Sequence, residues 1–179
     1  DVSADRIQFF GEPSFDPHDY LVPEYHSLYD TPSAHKTDSY TQPPRVQVRA
    51  SRSEFVKFLT LLDQTGRLRL SLASNSSPSE RVGLHAVYKD LKKDRLILDA
   101  RPPNANEDGY SRWVKHLGTP TMLLEVFLES DEVMSIYGDD LRDFYHVFQV
   151  TPERAARNTF AREVPLTAVR HLSAAKEFL

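Results

Sequence analysis

Cysteine is absent from this chain, which rules out a disulfide framework and any zinc site built on thiolates. No apolar run approaches the ~20 residues that a membrane-crossing helix needs. Among its six glycines there is neither G-x-G-x-x-G nor a Walker-type phosphate loop, and no G-x-S-x-G elbow supports hydrolase chemistry. The seven histidines (His18, His26, His35, His85, His116, His146 and His171) show no HxxxH or HExxH spacing, so they read as scattered surface and half-buried residues rather than metal ligands. Positive charge is also short. A net charge of −4 sits badly with a stand-alone nucleic-acid binder, whose affinity for phosphates comes from Lys and Arg.

That negative charge is unevenly spread. Residues 1–45 hold eight acids and three bases, a net of −5, which leaves the other 134 residues of the 179 at +1. Six of the twelve prolines fall in the same stretch, with Phe9, Phe10, Phe15, Tyr20, Tyr25, Tyr29 and Tyr40. Proline removes backbone donors and disfavours helix before it, so residues 1–50 are expected to form an extended, irregular arm. The aromatics are too many for a disordered linker. They predict an arm lying on a surface, of this domain or of a partner. Opening on Asp1-Val2-Ser3 rather than Met, the chain reads as a processed product, a piece of a polyprotein or the ordered part of something longer. If a targeting segment has been removed, the expected origin is an intracellular, organellar one.

The remaining composition, 40% hydrophobic and 27% charged, is ordinary for a globular domain, expected over residues 51–179. Ser51 and Glu54 have the spacing of a capping box; Phe55, Phe58, Leu59 and Leu62 share a helical face, and Gly66 supplies the stop. Arg67–Leu72 alternates and predicts a strand; Ala73–Glu80 reads as loop. Leu84–Tyr88 and Arg95–Leu98 predict a β-hairpin with a basic tip, followed by loop over Asn104–Tyr110. Leu123–Leu128 and Val133–Tyr137 are apolar runs flanking an acidic turn, and a strand is expected over Leu141–Val150. Thr151 caps a helix with Pro152 at its first position, and Leu166–Phe178 repeats Leu166, Val169, Leu172 and Phe178 near the helical period. No internal repeat is visible. The fold class is α+β: a small antiparallel sheet with packed helices, preceded by an extended Pro-rich arm.

Three segments carry a resemblance. Arg95, Asp99, Arg101 and Asn104 fit the pattern Arg-x-x-x-Asp-x-Arg-x-x-Asn. Trp113, Leu117, Gly118 and Pro120 form Trp-x-x-x-Leu-Gly-x-Pro. Asp140-Leu141-Arg142-Asp143-Phe144-Tyr145 has the form Asp-apolar-x-Asp-x-aromatic. In this order they resemble the fingers and partial palm of reverse transcriptases, the RNA-directed DNA polymerases of retroelements. The chain looks most like the retroelement-derived polyproteins of dinoflagellates. The likeness covers roughly residues 54–160.

The resemblance implies a nucleotide site of Lys89, Arg95, Asp99, Arg101 and Tyr145. Lys89 would meet the γ-phosphate, with Lys92 or Lys93 as substitutes. Arg95 would stack on the base and contact the α-phosphate, and Tyr145 would be the gate against a 2′-hydroxyl. Asp140 would be the catalytic, metal-binding carboxylate for Mg2+. Phe144 replaces the commoner Ala, and Gly138-Asp139 replaces the usual apolar pair. A second catalytic Tyr-x-Asp-Asp strand and a thumb do not follow. The only such string, Tyr137-Gly138-Asp139-Asp140, overlaps the palm motif, so Asp140 cannot serve both places.

Arg95, Asp99 and Arg101 equally suit a structural charge network, Asp140 and Asp143 a pair of edge carboxylates, and Tyr145 a packed aromatic. The expectation is a non-catalytic, reverse-transcriptase-like accessory or structural subunit that joins protein partners in a larger complex through its arm. The alternative is part of an active polymerase, with Mg2+ as cofactor and nucleic acid as a partner, whose second motif lies elsewhere.

Overall fold

Helix formation starts where Ser51 turns its hydroxyl back onto the Glu54 amide at 3.1 Å, capping a helix over Arg52–Gln64. Gly66 ends it at φ +66°, the left-handed conformation that costs glycine least. Two backbone bonds then close the end in a Schellman arrangement, from the Gly66 amide to Asp63 O at 3.1 Å and from the Arg67 amide to Leu62 O at 2.8 Å. Only the Ser51 half of the expected capping box forms, and the Glu54 carboxylate is used elsewhere. Its Oε2 accepts from the Ala4 amide at 2.7 Å, so the helix start is tied to the chain's N-terminus.

The computed structural model describes residues 1–35, 42–107, 120–138 and 144–178. It is a mixed α/β structure with a two-stranded antiparallel sheet and several short helices. Among the described residues the α-helices are, in chain order, α1 (His26–Asp30), α2 (Arg52–Gln64), α3 (Arg101–Ala105), α4 (Pro152–Ala156), α5 (Leu166–Val169) and α6 (Ser173–Phe178). The strands are β1 (Gly83–Tyr88) and β2 (Asp94–Asp99). The chain divides into two compact units, one of Asp1–Glu107 with Asp143–Leu179, the other of Asp108–Arg142. The boundary expected at residue 50 falls inside the first.

In that first unit Phe55, Phe58, Leu59 and Leu62 of α2 form a buried core with Val2, Ala4, Ile7, Val48, Leu84, Val169 and Leu172. Each buried Phe or Leu contributes about 1.5–3 kcal/mol. Phe160 meets Phe55 and Phe58 edge-on, with centroids at 5.7 and 5.9 Å. The start of the arm is therefore core.

The rest of the arm is not simply extended. It folds into short 3-10 turns at Pro17, Pro23 and Pro32, where a missing N–H is harmless, and into α1. It docks on its own unit. Phe15 pairs with Phe148, Tyr29 Oη donates to Gln149 O at 3.2 Å, and Arg154 of α4 donates to the carbonyls of Tyr29 and Leu28.

The hairpin forms as expected, with Gly83 opposite Asp99 and Tyr88 opposite Asp94. On its free edge β1 meets two short segments end to end. Leu84 exchanges bonds with residues 47–49, and Val82 with residues 159–161. Within β1 itself, residues 47–49 thus meet the second edge at Leu84. Arg67–Leu72, expected as a strand, runs outside any sheet, although Leu68 and Leu70 still pack on the core. The strand expected over Leu141–Val150 is also corrected in its described part. Phe144–His146 is a 3-10 turn, and only Phe148 pairs, because the arm takes the backbone groups of Val147 and Gln149.

Thr151 caps α4 as expected, accepting from the Arg154 amide at 3.4 Å. The long C-terminal helix is broken into α5 and α6. Asp63 of α2 caps the second piece, accepting from the Ser173 and Ala174 amides at 2.8 Å each.

In the second unit, Pro120–Glu125 is a 3-10 stretch, and a turn follows in which the Glu132 amide donates to Glu129 O at 3.1 Å. The apolar side chains here stand in solvent, Phe127 at 90% and Tyr137 at 91% exposure.

Candidate anion-binding face of the β-hairpin

Alternation along the hairpin sorts its side chains by face. Leu84, Ala86 and Leu96 turn to the core, whereas Gly83, His85, Val87, Arg95, Ile97 and Asp99 share the outer face. At the base of that face β2 runs into α3, where Pro102 and Pro103 are buried and anchor the helix. Arg157 holds α3 from the other side, donating to Pro103 O at 3.0 Å and pairing with Glu107 at 2.6 Å.

The anchored turn sets Arg101 against Asp99. Nε and Nη2 donate to the two carboxylate oxygens at 2.7 Å each, a bidentate pair. The Arg101 side-chain bond, with help from its amide, its charge and His85, holds the Asp99 carboxyl below its ordinary range; in turn Asp99 raises Arg101.

Asp99 and Arg101 line a cleft of about 270 Å³ together with Arg45, Val46, Gln47, Arg49 and His85. The cleft exists because residues 46–47 press onto Gly83. A Cβ there would lie 2.9 Å from Val46 Cβ and 3.0 Å from Gln47 O. Since Asp99 and Arg101 neutralise each other, the net charge of the cleft comes from Arg45 and Arg49. Both are exposed and neither has an ion pair among the described residues.

The other expected site residues are spread out. Arg95 lies on the same outer face, opposite Val87 near the hairpin tip, exposed and without an ion pair among the described residues. Four residues of strand put it about 14 Å from Asp99. Lys89 is exposed at the tip, beyond Tyr88. There Asp90 accepts from the Lys92 and Lys93 amides, bonds that hold its carboxyl below the ordinary range. Arg6 clips the tip to the N-terminus through the carbonyls of Leu91 and Asp90 and the Asp94 carboxylate. Asn104 is exposed on α3. Tyr145 is exposed, its ring edge-on to Phe144 at 5.3 Å.

Asp140 and Asp143 lie outside the described residues, as do Trp113, Leu117 and Gly118. Among the described residues no three acidic or histidine side chains converge on one point.

The sequence reading missed Arg45 and Arg49, though the signal was present. Arg45-Val46-Gln47-Val48-Arg49 alternates polar and apolar, as a segment laid along a sheet edge does. Comparison of the chain with protein-family models, curated proteins and solved structures finds no match in any of the three.

Proposed function

We propose that this chain works by binding, as a reverse-transcriptase-like accessory subunit of a larger assembly, and docks through its segment 122–137. The observation that carries this is the exposure of Phe127 and Tyr137, with Leu124, Val133 and Ile136 also exposed. Residues 120–138 contain four acids, Glu125, Glu129, Asp131 and Glu132, and no base. The matching partner is a protein with an apolar groove rimmed by Lys and Arg, since aromatic anchors supply most of the energy and rim charges select the partner. The arm is less suited to docking, because Phe9, Phe15 and Tyr29 are taken up by residues 146–154 of its own unit.

A polymerase role within a longer protein is the second reading, favoured by Arg95 standing exposed without an ion pair among the described residues.

The test is the size of the native particle in the source of the protein. The wild-type chain is expected to elute well above its 20.5 kDa mass, and a Phe127→Ser/Tyr137→Ser variant at the monomer position with an unchanged far-UV spectrum. A wild-type chain that elutes as a monomer refutes the proposal. Deoxynucleotide incorporation on a primed RNA template would establish the polymerase instead.

A further inference from the structure

We infer that the free edge of β2 pairs with the same edge of a second copy of this chain, antiparallel and centred on Ile97, joining two hairpins into one sheet. The backbone decides which groups are on offer. Leu84 donates its amide to Gln47 O at 3.0 Å, and its carbonyl accepts from the Arg49 amide at 2.7 Å. Its backbone groups therefore point away from β2, so Leu84 and Leu98 face each other as a non-hydrogen-bonded pair. Alternation then turns the N–H and C=O groups of Leu96 and Leu98 to the outer edge of β2. They have no hydrogen-bond partner there among the described residues. Leu98 is 42% exposed although it stands on the core-facing side of the hairpin. Natural edges resist pairing with a proline, a bulge or a charge, and Leu96-Ile97-Leu98 carries none of the three.

Charge complementarity names the occupant. Arg95-Leu96-Ile97-Leu98-Asp99 is symmetric in apolar character about Ile97 and opposite in charge at its two ends. Outward backbone groups must meet outward groups, so a two-fold pairing centres on a residue. Centred on Ile97, Leu96 exchanges bonds with Leu98 of the second copy on each side of the axis. Arg95 then lies opposite the second copy's Asp99, in the non-hydrogen-bonded positions where Cα atoms are about 4.5 Å apart and side chains closest. Centred one residue either way, Arg95 or Asp99 faces Ile97 instead, and centred on Arg95 two arginines meet. Arg95 is exposed and without an ion pair among the described residues. Arg101 takes two bonds from the Asp99 carboxylate, which has about four acceptor sites, so a second guanidinium can join. So short a pairing falls below the ~1,200 Å² of a stable interface; it forms at high protein concentration and is apart in a dilute extract.

Sedimentation equilibrium of the purified full chain, from about 5 to 500 µM, measures the pairing. The wild-type mass is expected to rise with concentration from 20.5 kDa toward twice that value and no further. Arg95→Glu sets a carboxylate against each Asp99 and weakens pairing about 10-fold or more. Arg170→Glu, the same charge change on an exposed arginine away from the edge, leaves it unchanged. Asp99→Lys opposes two cations and weakens pairing likewise. Mixing the Arg95→Glu and Asp99→Lys chains restores both ion pairs, so the mixture dimerises more tightly than either variant alone. Amide exchange reads the backbone: Leu96 and Leu98 slow as concentration rises, whereas the Ile97 amide, already bonded to β1, does not change.

Circular dichroism checks the fold of each variant; if Asp99→Lys does not fold, the comparison of Arg95→Glu with Arg170→Glu decides. A mass that stays at 20.5 kDa, equal pairing by wild type and folded Arg95→Glu, or a mixture no tighter than its folded components overturns the inference. So does protection of the Leu96 and Leu98 amides in the native assembly alone, which would give the edge to a strand of the partner. Phe127→Ser/Tyr137→Ser is expected to pair as wild type does, so failure here and failure of docking through segment 122–137 are told apart.

Discussion

Adding one methyl group at Gly83 sets two opposing effects against each other, and the structure decides between them. The new Cβ would sit 2.9 Å from Val46 Cβ, 3.0 Å from Gln47 O and 3.2 Å from Asp99 Cβ. None of these atoms is the far end of a flexible side chain, so relief requires the backbone at 46–47 to move off β1. That movement disturbs the bond from the Leu84 amide to Gln47 O at 3.0 Å and the seat of Val48 in the core. Overpacking of this kind costs about 1–3 kcal/mol. Against it, alanine lowers the entropy of the unfolded chain, worth about 0.4–1 kcal/mol where the native conformation suits it. The net expectation for Gly83→Ala is a loss of about 1–2 kcal/mol, which lowers the urea midpoint by about 0.5–1 M at a slope near 2 kcal/mol/M. Val46→Ala should not rescue it, because the clash is with a Cβ that alanine keeps. An unchanged or higher midpoint for Gly83→Ala would refute the close approach that forms the cleft.

Asp63→Ala removes both caps from α6; a loss of about 1–2 kcal/mol and faster amide exchange over Ser173–Phe178 are expected, with Asp63→Asn intermediate. Equal exchange in all three proteins would sink that assignment. The Glu54, Asp90, Asp94, Asp99 and Glu153 carboxyls are all held below their ordinary range, by Lys57, the Lys92 amide, Arg6, Arg101 and Ser33 respectively. A depressed folded-state value contributes stability above the unfolded value and loses it as pH falls toward the folded one. The melting temperature should therefore hold above the usual carboxylate range and drop below about pH 4, and Asp94→Asn should flatten part of that drop. Millimolar deoxynucleotide with Mg2+ is expected to leave the melting temperature unchanged; a rise abolished by Arg95→Ala would favour the polymerase reading.

What could be read from the sequence was what is encoded locally. The cap at Ser51, the stop at Gly66, the inward face of α2 and the hairpin all follow from spacing within a dozen residues, and all are present. The misses are tertiary. Arg67–Leu72 alternates like a strand but pairs with no described strand, and its alternation seats Leu68 and Leu70 on the core. The continuous helix expected over Leu166–Phe178 breaks at residues 170–172, where Asp63, more than a hundred residues earlier in sequence, offers its carboxylate to a new helix start. The acidic, proline-rich opening concealed that Val2, Ala4 and Ile7 complete the core, because three small apolar residues among acids make no periodic signal. At the candidate site the Asp99–Arg101 pairing could be anticipated from its spacing. The cleft could not, since Arg45 and Arg49 reach it only through the contact of residues 47–49 with Leu84.

The net charge of −4 is unevenly distributed, with +5 over residues 42–107 and four acids and no base over residues 120–138. Salt tests what the second stretch contributes to docking. A protein contact anchored by Phe127 and Tyr137 loses only its rim charges, because screening over about 10 Å at 0.1 M, shrinking to 3 Å at 1 M, leaves apolar burial intact. At about 0.5 M salt, well into that screened range, the protein partner should stay in the native assembly. Loss of the partner at that salt would mean that it is held by charge, and that the exposed aromatics do not anchor it.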